Sequence, residues 1–185
     1  KILSASGFLL DLVNDVLDMN KLESGKETIE SVSFDLTHLM DDVASLVNAQ
    51  IMEMGITHRT HRGDLTHTRL IGSPLRLRQI MLNLFSNAIK YNKPGGTVFV
   101  SVKQADENVI LEVADTGSGI PKDCMEHIFE PFFRVDKSRS RQMGGVGLGL
   151  ALVREIALLH GGSVRAEARA EGGTAFRVVL PRQQV

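Results

Sequence analysis

Amide side chains recur along one stretch of the chain, QIMLNLFSNAIKY, between Gln79 and Tyr91. At about 100° per residue, a helix here places these polar residues on one stripe: Gln79, Asn83, Ser86, Asn87 and Lys90, with Tyr91 at its edge. Asparagine is a mediocre helix former because its side chain competes for backbone hydrogen bonds, so the two asparagines need some compensation. The stripe is therefore either a solvated face or a surface that binds a ligand through its amides.

A second candidate site is the sequence Asp115-Thr116-Gly117-Ser118-Gly119, which follows a predicted strand. A carboxylate at a strand end can accept a hydrogen bond from an exocyclic amine, and two glycines let a flat ring approach the backbone closely. Aspartate–glycine turns are common, so this motif alone is a weak indication of a binding site.

A third candidate is the glycine-rich run from Gly144 to Leu150, which leads directly into a predicted helix. Backbone N–H groups of such a loop bind phosphate together with the helix dipole. The cations upstream either meet a triphosphate or form a solvated charge run: Arg134, Lys137, Arg139 and Arg141. No G-x-x-x-x-G-K-[ST] occurs, and no G-x-G-x-x-G follows the first strand of a βαβ unit, so a nucleotide site here must be of another type.

The amide stripe belongs to a predicted helix over residues 73–92, with Ser73 as the cap and Pro74 at the first helical position. Its opposite face is apolar and predicts burial: Leu77, Met81, Leu82, Phe85, Ala88 and Ile89. Other helices are predicted over 35–54, 121–129 and 150–160, and strands over 27–34, 56–62, 68–71, 97–104, 108–114, 163–170 and 174–180. The mixed order predicts an α+β two-layer sandwich, with a mixed, mostly antiparallel sheet and helices on one face.

Before this sandwich, apolar residues over 2–22 recur at alternating steps of three and four, the pattern of a helical-bundle seam. We expect this helix to bury itself against something outside these residues, and a symmetric partner chain is the natural supplier. Because the helical pattern begins at Lys1 without a cap, we interpret the chain as a piece of a longer protein.

Composition excludes several classes of protein. The net charge of −1 and pI near 6.7 give no electrostatic footprint for nucleic acid or for an anionic membrane. The single cysteine, Cys124, excludes an internal disulfide framework and fits a reducing compartment. No stretch approaches the roughly 20 apolar residues of a transmembrane helix.

Taken in order, the amide-rich helix, DTGSG, FEPFF over 129–133, GGVGLGL and the GGT of Gly172-Gly173-Thr174 resemble one known arrangement. It is the catalytic, ATP-binding domain of sensor histidine kinases, within the GHKL or Bergerat-fold ATPase superfamily. The resemblance spans residues 31–182. Residues 1–26 resemble the second helix of the dimerisation and phosphotransfer bundle, which divides the chain into 1–26 and a catalytic domain over 27–185.

The resemblance implies ATP and Mg²⁺ as cofactors. Asn87, helped by Asn83, is expected to coordinate Mg²⁺, while Lys90 and Tyr91 lie near the phosphates and ribose and Asp115 binds the adenine amine. Phe129, Phe132 and Phe133 are expected to form the hinge of a lid over the nucleotide. Further expected contacts with the nucleotide come from Gly117, Gly119, Ile120 and Thr174, from Phe133, from the lid cations Arg134, Lys137 and Arg139, and from Gly145, Val146, Gly147, Leu148, Gly149 and Leu150.

One position separates two activities within the superfamily. Members that hydrolyse ATP, such as the gyrase and Hsp90 types, carry a water-activating glutamate where this chain has Asn83, and an amide cannot act as a general base. The resemblance therefore implies transfer of the γ-phosphoryl group to a bundle histidine and then to a response-regulator aspartate. None of the six histidines lies in an H-E-x-R-T-P-like context, so these residues are expected to bind ATP without phosphorylating themselves.

The implied partners are a response-regulator receiver domain and, in the full-length protein, a second copy joined through the bundle. No contact with nucleic acid or membrane is expected from these residues, which would form the cytoplasmic part of a membrane-anchored bacterial sensor. Two alternatives stay open. One is an ATPase clamp, which needs a carboxylate at position 83; the other is a degenerate kinase that acts by protein contact, against which Asn87, Asp115 and the lid glycines argue.

Overall fold

The computed structural model describes residues 13–14, 16–22, 30–63, 65, 68–135 and 146–182. Its helices are α1 (Leu36–Glu53), α2 (Pro74–Lys90) and α3 (Gly149–Leu159), with a 3₁₀ turn at Lys122–Cys124. Its strands are β1 (Val32–Asp35), β2 (Thr57–Arg62), β3 (Arg69–Gly72), β4 (Thr97–Ala105), β5 (Asn108–Asp115), β6 (Ser163–Ala168) and β7 (Thr174–Pro181). None of the helices within these ranges combines the length and the apolarity that crossing a bilayer requires.

The main sheet has five strands in the order β2-β4-β5-β7-β6. The β2–β4 pair is parallel and the other pairs are antiparallel. β1 and β3 form a separate antiparallel pair. The predicted α+β architecture with a mixed, mostly antiparallel sheet is confirmed.

One face of the sheet is buried beneath the helices. Alternate residues of the central strands are buried, as the period of a strand requires: Val98, Val100, Val102, Val109, Leu111, Val113, Phe176, Val178 and Leu180. α2 contributes Ile80, Met81, Leu84 and Phe85 to the same core, and α3 contributes Leu152, Val153 and Ile156. The apolar face predicted for α2 is therefore the face that packs on the sheet, which leaves its amide stripe outside the core.

Capping fixes where the helices start. The side chain of Ser73 accepts a hydrogen bond from the Arg76 N–H at 3.3 Å, and Pro74 is the first helical residue of α2. α2 ends at Tyr91, whose N–H donates to the Asn87 carbonyl at 3.0 Å. Asp35 caps α1 by accepting from the N–H of Thr37 and of His38.

The helix predicted over 121–129 is wrong. The segment contains only the 3₁₀ turn at Lys122–Cys124, followed by separate hydrogen-bonded turns. Pro121, at the cap position, makes no side-chain capping bond, and only Ile128 is fully buried there. So short a segment has neither the cap nor the apolar stripe that would stabilise a regular helix.

The helical residues 16–22 pack on the sandwich. Met19 and Leu22 are buried in the common core, whereas Val13 and Leu17 are exposed. The expectation that this helix buries its seam entirely outside the chain is therefore wrong for its last turns. The end predicted for it at Glu23-Ser24-Gly25-Lys26 falls outside the described residues.

Candidate nucleotide-binding site

Asp115 is the last residue of β5 and is buried, with 5% of its surface exposed. Its Oδ1 accepts hydrogen bonds from the Gly117 N–H at 2.7 Å and from the Thr174 N–H at 3.4 Å. Burial raises the pKa of Asp115, while these two N–H groups and nearby Arg169 act against that rise. Since Oδ2 has no hydrogen bond with any described residue, it remains available to an external donor.

Two glycines leave no room for a side chain beside Asp115. A Cβ on Gly117 would lie 2.2 Å from the Tyr91 carbonyl oxygen, which already accepts a hydrogen bond from the Ser118 N–H at 3.1 Å. A Cβ on Gly173 would lie 2.0 Å from the Asp115 carbonyl oxygen. The loop after β5 therefore lies directly against the C-terminal end of α2 on one side and the β6–β7 turn on the other.

The C-terminal half of α2 supplies the amide stripe. The half-buried side chains of Asn83 and Asn87 make no hydrogen bond with any residue that the structure describes. Lys90 follows on the same face, with its Nζ 5.3 Å from the centre of the Tyr91 ring. Burial first, and the positive charge of Arg134 second, lower the pKa of Lys90. This face therefore offers two unpaired amides beside two cations.

The beginning of α3 closes the site on its other side. A Cβ on Gly149 would lie 2.9 Å from the Asn83 Oδ1, so the first turn of α3 lies against the amide stripe. Gly147 has a φ of +84°, and a Cβ there would lie 2.7 Å from the Phe133 carbonyl oxygen. The Gly147 carbonyl accepts a hydrogen bond from the Phe132 N–H at 2.9 Å. The residues on either side of the predicted lid are thus joined through their backbones.

Arg134 contributes an unsatisfied donor. Its Nη2 is buried and has no hydrogen-bond partner among the described residues. A buried guanidinium nitrogen without a partner is costly, and a phosphate oxygen is the acceptor that its geometry suits. The proximity of Arg134 to Lys90 brings two positive charges to one place, which favours an anionic ligand.

Most of the predicted site residues in the described ranges fall around one end of α2. Asn83, Lys90, Tyr91, Asp115 and Gly117 are linked there by the contacts above, together with Phe133, Arg134, Gly147, Gly149 and Thr174. Gly119, with a φ of +72°, lies near Gly173, whereas Ile120 and Leu150 are half-buried and pack against the core and Leu148 is itself buried. Phe129 also packs on the core, with its ring 6.4 Å from that of Phe176. Lys137, Arg139 and Gly145 lie outside the described residues.

Sequence reasoning missed two residues of this region. Arg169 donates from Nη1 to the Asp115 carbonyl oxygen at 2.8 Å, although 54 positions separate the two. Gly173 belongs to the GGT segment, for which the motif order predicts no particular contact, but the carbonyl of Asp115 occupies the place of its side chain. The paired glycines of the turn were a signal for Gly173, whereas nothing in the sequence marked Arg169.

The residues at this site suit a magnesium–nucleotide complex better than an ion held by protein alone. No group of three or more His, Cys, Asp or Glu side chains within the described ranges is placed to hold a metal. Amide oxygens such as those of Asn83 and Asn87 are acceptable ligands for Mg²⁺ when phosphate oxygens complete its shell and supply the charge.

Residues 72–184 match the family model described as histidine kinase-, DNA gyrase B- and HSP90-like ATPase, which covers more than half of the chain. The chain belongs to this family. Within it, the similar proteins are sensor kinases. The circadian input-output histidine kinase CikA of Synechococcus elongatus is 38% identical over 185 residues, covering 95% of this chain and 23% of that protein. The histidine-protein kinase BarA of Escherichia coli is 35% identical over 172 residues, covering 91% of this chain and 19% of that protein.

Solved structures show the same relationship. Full-length ShkA in complex with AMPPNP has a TM-score of 0.86 and 32% identity, covering 98% of this chain and 37% of that one. The catalytic domain of the histidine kinase ThkA has a TM-score of 0.74 and 29% identity, covering 84% of this chain and 99% of that domain. The sandwich is therefore the ATP-binding catalytic domain of the histidine-kinase type, and the chain spans about a quarter or less of the curated relatives above.

Proposed function

We propose that this chain is the catalytic part of a two-component sensor histidine kinase that binds Mg²⁺–ATP and transfers its γ-phosphoryl group to a bundle histidine. The observation that carries the proposal is that the amides of Asn83 and Asn87 on α2 and the buried Nη2 of Arg134, which lie beside Lys90, have no hydrogen-bond partner among the described residues. Polar groups left without partners at one place, next to two cations, fit the phosphates of a nucleotide.

The adenine end of the ligand fits the other half of the site. The Asp115 Oδ2 would accept a hydrogen bond from the exocyclic amine, while Oδ1 stays held by the Gly117 and Thr174 N–H groups. The absence of a side chain on Gly117 and Gly173 lets the loop and the turn close around Asp115. A buried carboxylate of this kind favours adenine over a base that carries a carbonyl at the same position.

Asn87, helped by Asn83, would hold Mg²⁺ together with the phosphates, and the ion would neutralise charge on the transferring group. Because Asn83 cannot take a proton from water, the site holds ATP for an outside nucleophile. In the transfer, the bond between the γ-phosphorus and the bridging oxygen breaks, ADP leaves with the electron pair, and a phosphorus–nitrogen bond forms as the histidine gives up its ring proton.

The nucleophile would be a histidine outside these residues, since none of the six histidines here has the sequence context of a phosphoacceptor. Residues 1–26 would be the second helix of the bundle and 27–185 the catalytic domain. The phosphoryl group would then pass to a response-regulator aspartate. A solved complex of the histidine kinase ThkA with the response regulator TrrA, 27% identical to this chain at a TM-score of 0.76, supports that partner.

In the full-length protein, the exposed Val13 and Leu17 support dimerisation through the bundle, because half a bundle leaves its seam uncovered. The parent would be a membrane-anchored bacterial sensor with this domain in the cytoplasm.

Calorimetric titration of ATP with and without Mg²⁺ tests the proposal. We expect saturable binding that Asp115→Asn weakens by at least about tenfold and that loses its Mg²⁺ dependence in Asn87→Ala. Asn48→Ala, which removes an exposed asparagine from α1, is the matched control and should bind as the parent does. Absence of binding at millimolar ATP under both conditions would overturn the proposal and favour a module that acts by protein contact.

A further inference from the structure

We propose that Arg169 is a positioning residue of the nucleotide site, which fixes the end of β5 and keeps the Asp115 carboxylate in the form that accepts the adenine amine. This inference rests on the proposed function, because it assigns a further residue to the same site. The contact that Arg169 makes in this structure is with Asp115, through which it would act.

The guanidinium of Arg169 is held from two directions. Its Nη1 donates to the Asp115 carbonyl oxygen at 2.8 Å, and its central carbon lies 4.7 Å from the centre of the Phe99 ring on β4. Only 21% of the side chain is exposed. A cation stacked on an aromatic ring with a directed hydrogen bond is more restrained than a solvated surface arginine.

The backbone of Arg169 is restrained as well. Its N–H donates to the Gly173 carbonyl at 3.2 Å, and its own carbonyl accepts from the Gly172 N–H at 3.1 Å. These bonds close the turn between β6 and β7. Since Gly173 lies against the Asp115 carbonyl and Thr174 donates to the Asp115 Oδ1, the same turn delivers three contacts to one aspartate.

A purely structural ion pair explains Arg169 less well. Its carboxylate neighbour, Glu171, lies 3.9 Å away with 86% of its side chain exposed, so the pair is weak. Tyr91, at the end of α2, lies beside the loop that follows Asp115, where its carbonyl accepts a hydrogen bond from the Ser118 N–H. Arg169 is the charged group that lowers the pKa of Asp115 in the described structure, against the rise that burial imposes.

Burial and Arg169 shift the pKa of Asp115 in opposite directions, which sets the direction of the pH effect on ATP binding. A protonated Asp115 would point a hydrogen toward the adenine amine, from which the carboxylate should accept a hydrogen bond. ATP binding should therefore weaken as the pH falls through the pKa of Asp115. Removing the positive charge of Arg169 raises that pKa further. The acid-side loss of ATP affinity should then begin at a higher pH.

The experiment measures ATP affinity of the whole chain between about pH 5 and pH 8 for the parent, Arg169→Gln and Arg169→Lys. Arg169→Gln should move the acid midpoint to higher pH, and a displacement of one unit corresponds to roughly tenfold weaker binding below both midpoints. Arg169→Lys keeps the charge and should restore the parental midpoint. Arg165→Gln removes an exposed charge from the same hairpin and should leave the midpoint where it is.

A second nucleotide and a second variant make the test specific. With purine riboside triphosphate, which lacks the amine, the displacement in Arg169→Gln should disappear. Phe99→Leu removes the ring beneath the guanidinium and should produce a smaller displacement in the same direction. Uniformly weaker binding at every pH, with an unchanged midpoint in both variants, would overturn the positioning role. Failure of the parent to bind ATP would instead be a failure of the proposed function.

Discussion

Both ends of α2 carry amide side chains on the same face, but these amides differ in their hydrogen bonding. At the N-terminal end, Gln79 donates to the Asp18 Oδ2 at 3.0 Å and accepts from the Arg76 Nη1 at 2.6 Å. At the C-terminal end, Asn83 and Asn87 find no hydrogen-bond partner among the described residues. These three amides recur every four residues on one helical face, so residue type and spacing do not distinguish them. What distinguishes them is whether a residue in the described part of the chain bonds to the amide.

Burial explains why the ends differ. Arg76 is 8% exposed, and a buried guanidinium without partners would destabilise the fold, so the chain supplies Asp18 and Gln79. Asn83 and Asn87 are only half-buried, and water can satisfy their amides until a ligand replaces it. Removing a side chain of the paired end should therefore affect stability more than binding, and removing one of the half-buried amides should affect binding more than stability.

The largest effect is expected from Gly173→Ala, which introduces a side chain beside Asp115 at the proposed nucleotide site. Its Cβ would lie 2.0 Å from the Asp115 carbonyl at a φ of +89°. We expect a loss of about 3 kcal/mol or more in the free energy of unfolding and at least about a hundredfold loss of ATP affinity. Urea denaturation and calorimetry measure the two quantities.

Gly172→Ala is the matched control for that substitution, because its φ is +88° and nothing lies within 4 Å of its Cβ position. Only backbone strain applies there, so we expect a loss of about 1 kcal/mol and ATP affinity within about twofold of the parent. If the two alanines had equal effects on stability and on ATP affinity, the β6–β7 turn would have moved to accommodate the Cβ at position 173. The site would then not be rigid before the ligand binds.

A smaller effect, at the opposite end, is expected from Arg76→Ala. It leaves Asp18 without its cation and should lower the free energy of unfolding by about 1–3 kcal/mol, with ATP affinity within about twofold of the parent. Arg78→Ala, on the same helix, removes an exposed pair with Asp42 and should cost at most about 0.5 kcal/mol. If Arg76→Ala instead impaired ATP binding at unchanged stability, the two ends would be one functional unit.

The smallest effect is expected from the pH dependence of Lys90. Because burial and Arg134 lower the pKa of Lys90, its charge is lost at a lower pH than that of a free lysine. ATP affinity should therefore fall as the pH rises through the lowered pKa of Lys90, and Lys90→Arg should abolish this fall. Lys93→Arg, at an exposed position nearby, should retain it. If ATP affinity depended on pH in the same way in the parent and in both variants, Lys90 would not interact with the phosphates.

Much of the fold could be predicted from local pattern. The apolar period of α2, its serine cap and its first-turn proline are local signals, and they predicted both the helix and the face that it buries. The strands β4, β5, β6 and β7 were likewise predicted from local signals. β3 and α2 lie between β2 and β4 in the sequence. The parallel pairing of β2 with β4 therefore joins distant segments, and no local pattern predicts it.

The site was predictable only in part, for the same reason. Motif order predicted Asp115 and the amides, but assigned Gln79 and Asn83 to one stripe without separating their roles, because Asp18 lies 61 positions from Gln79. Arg169 lies within the strand predicted over 163–170, where no motif marks it, and its contact with Asp115 exists only once β5, β6 and β7 are assembled. Whether a polar side chain finds a hydrogen-bond partner depends on residues that are distant in the sequence, and hydrophobic periodicity does not predict those partners.

Tyr91 ends α2 at the nucleotide site, with its ring beneath the Lys90 ammonium and its carbonyl bonded to the loop after Asp115. It is also the one tyrosine of a chain that has no tryptophan. When the chain is excited at a wavelength that phenylalanine does not absorb, its intrinsic fluorescence thus originates from a single tyrosine ring at the end where ligand binding is proposed. The protein carries its own optical reporter there, without an engineered label.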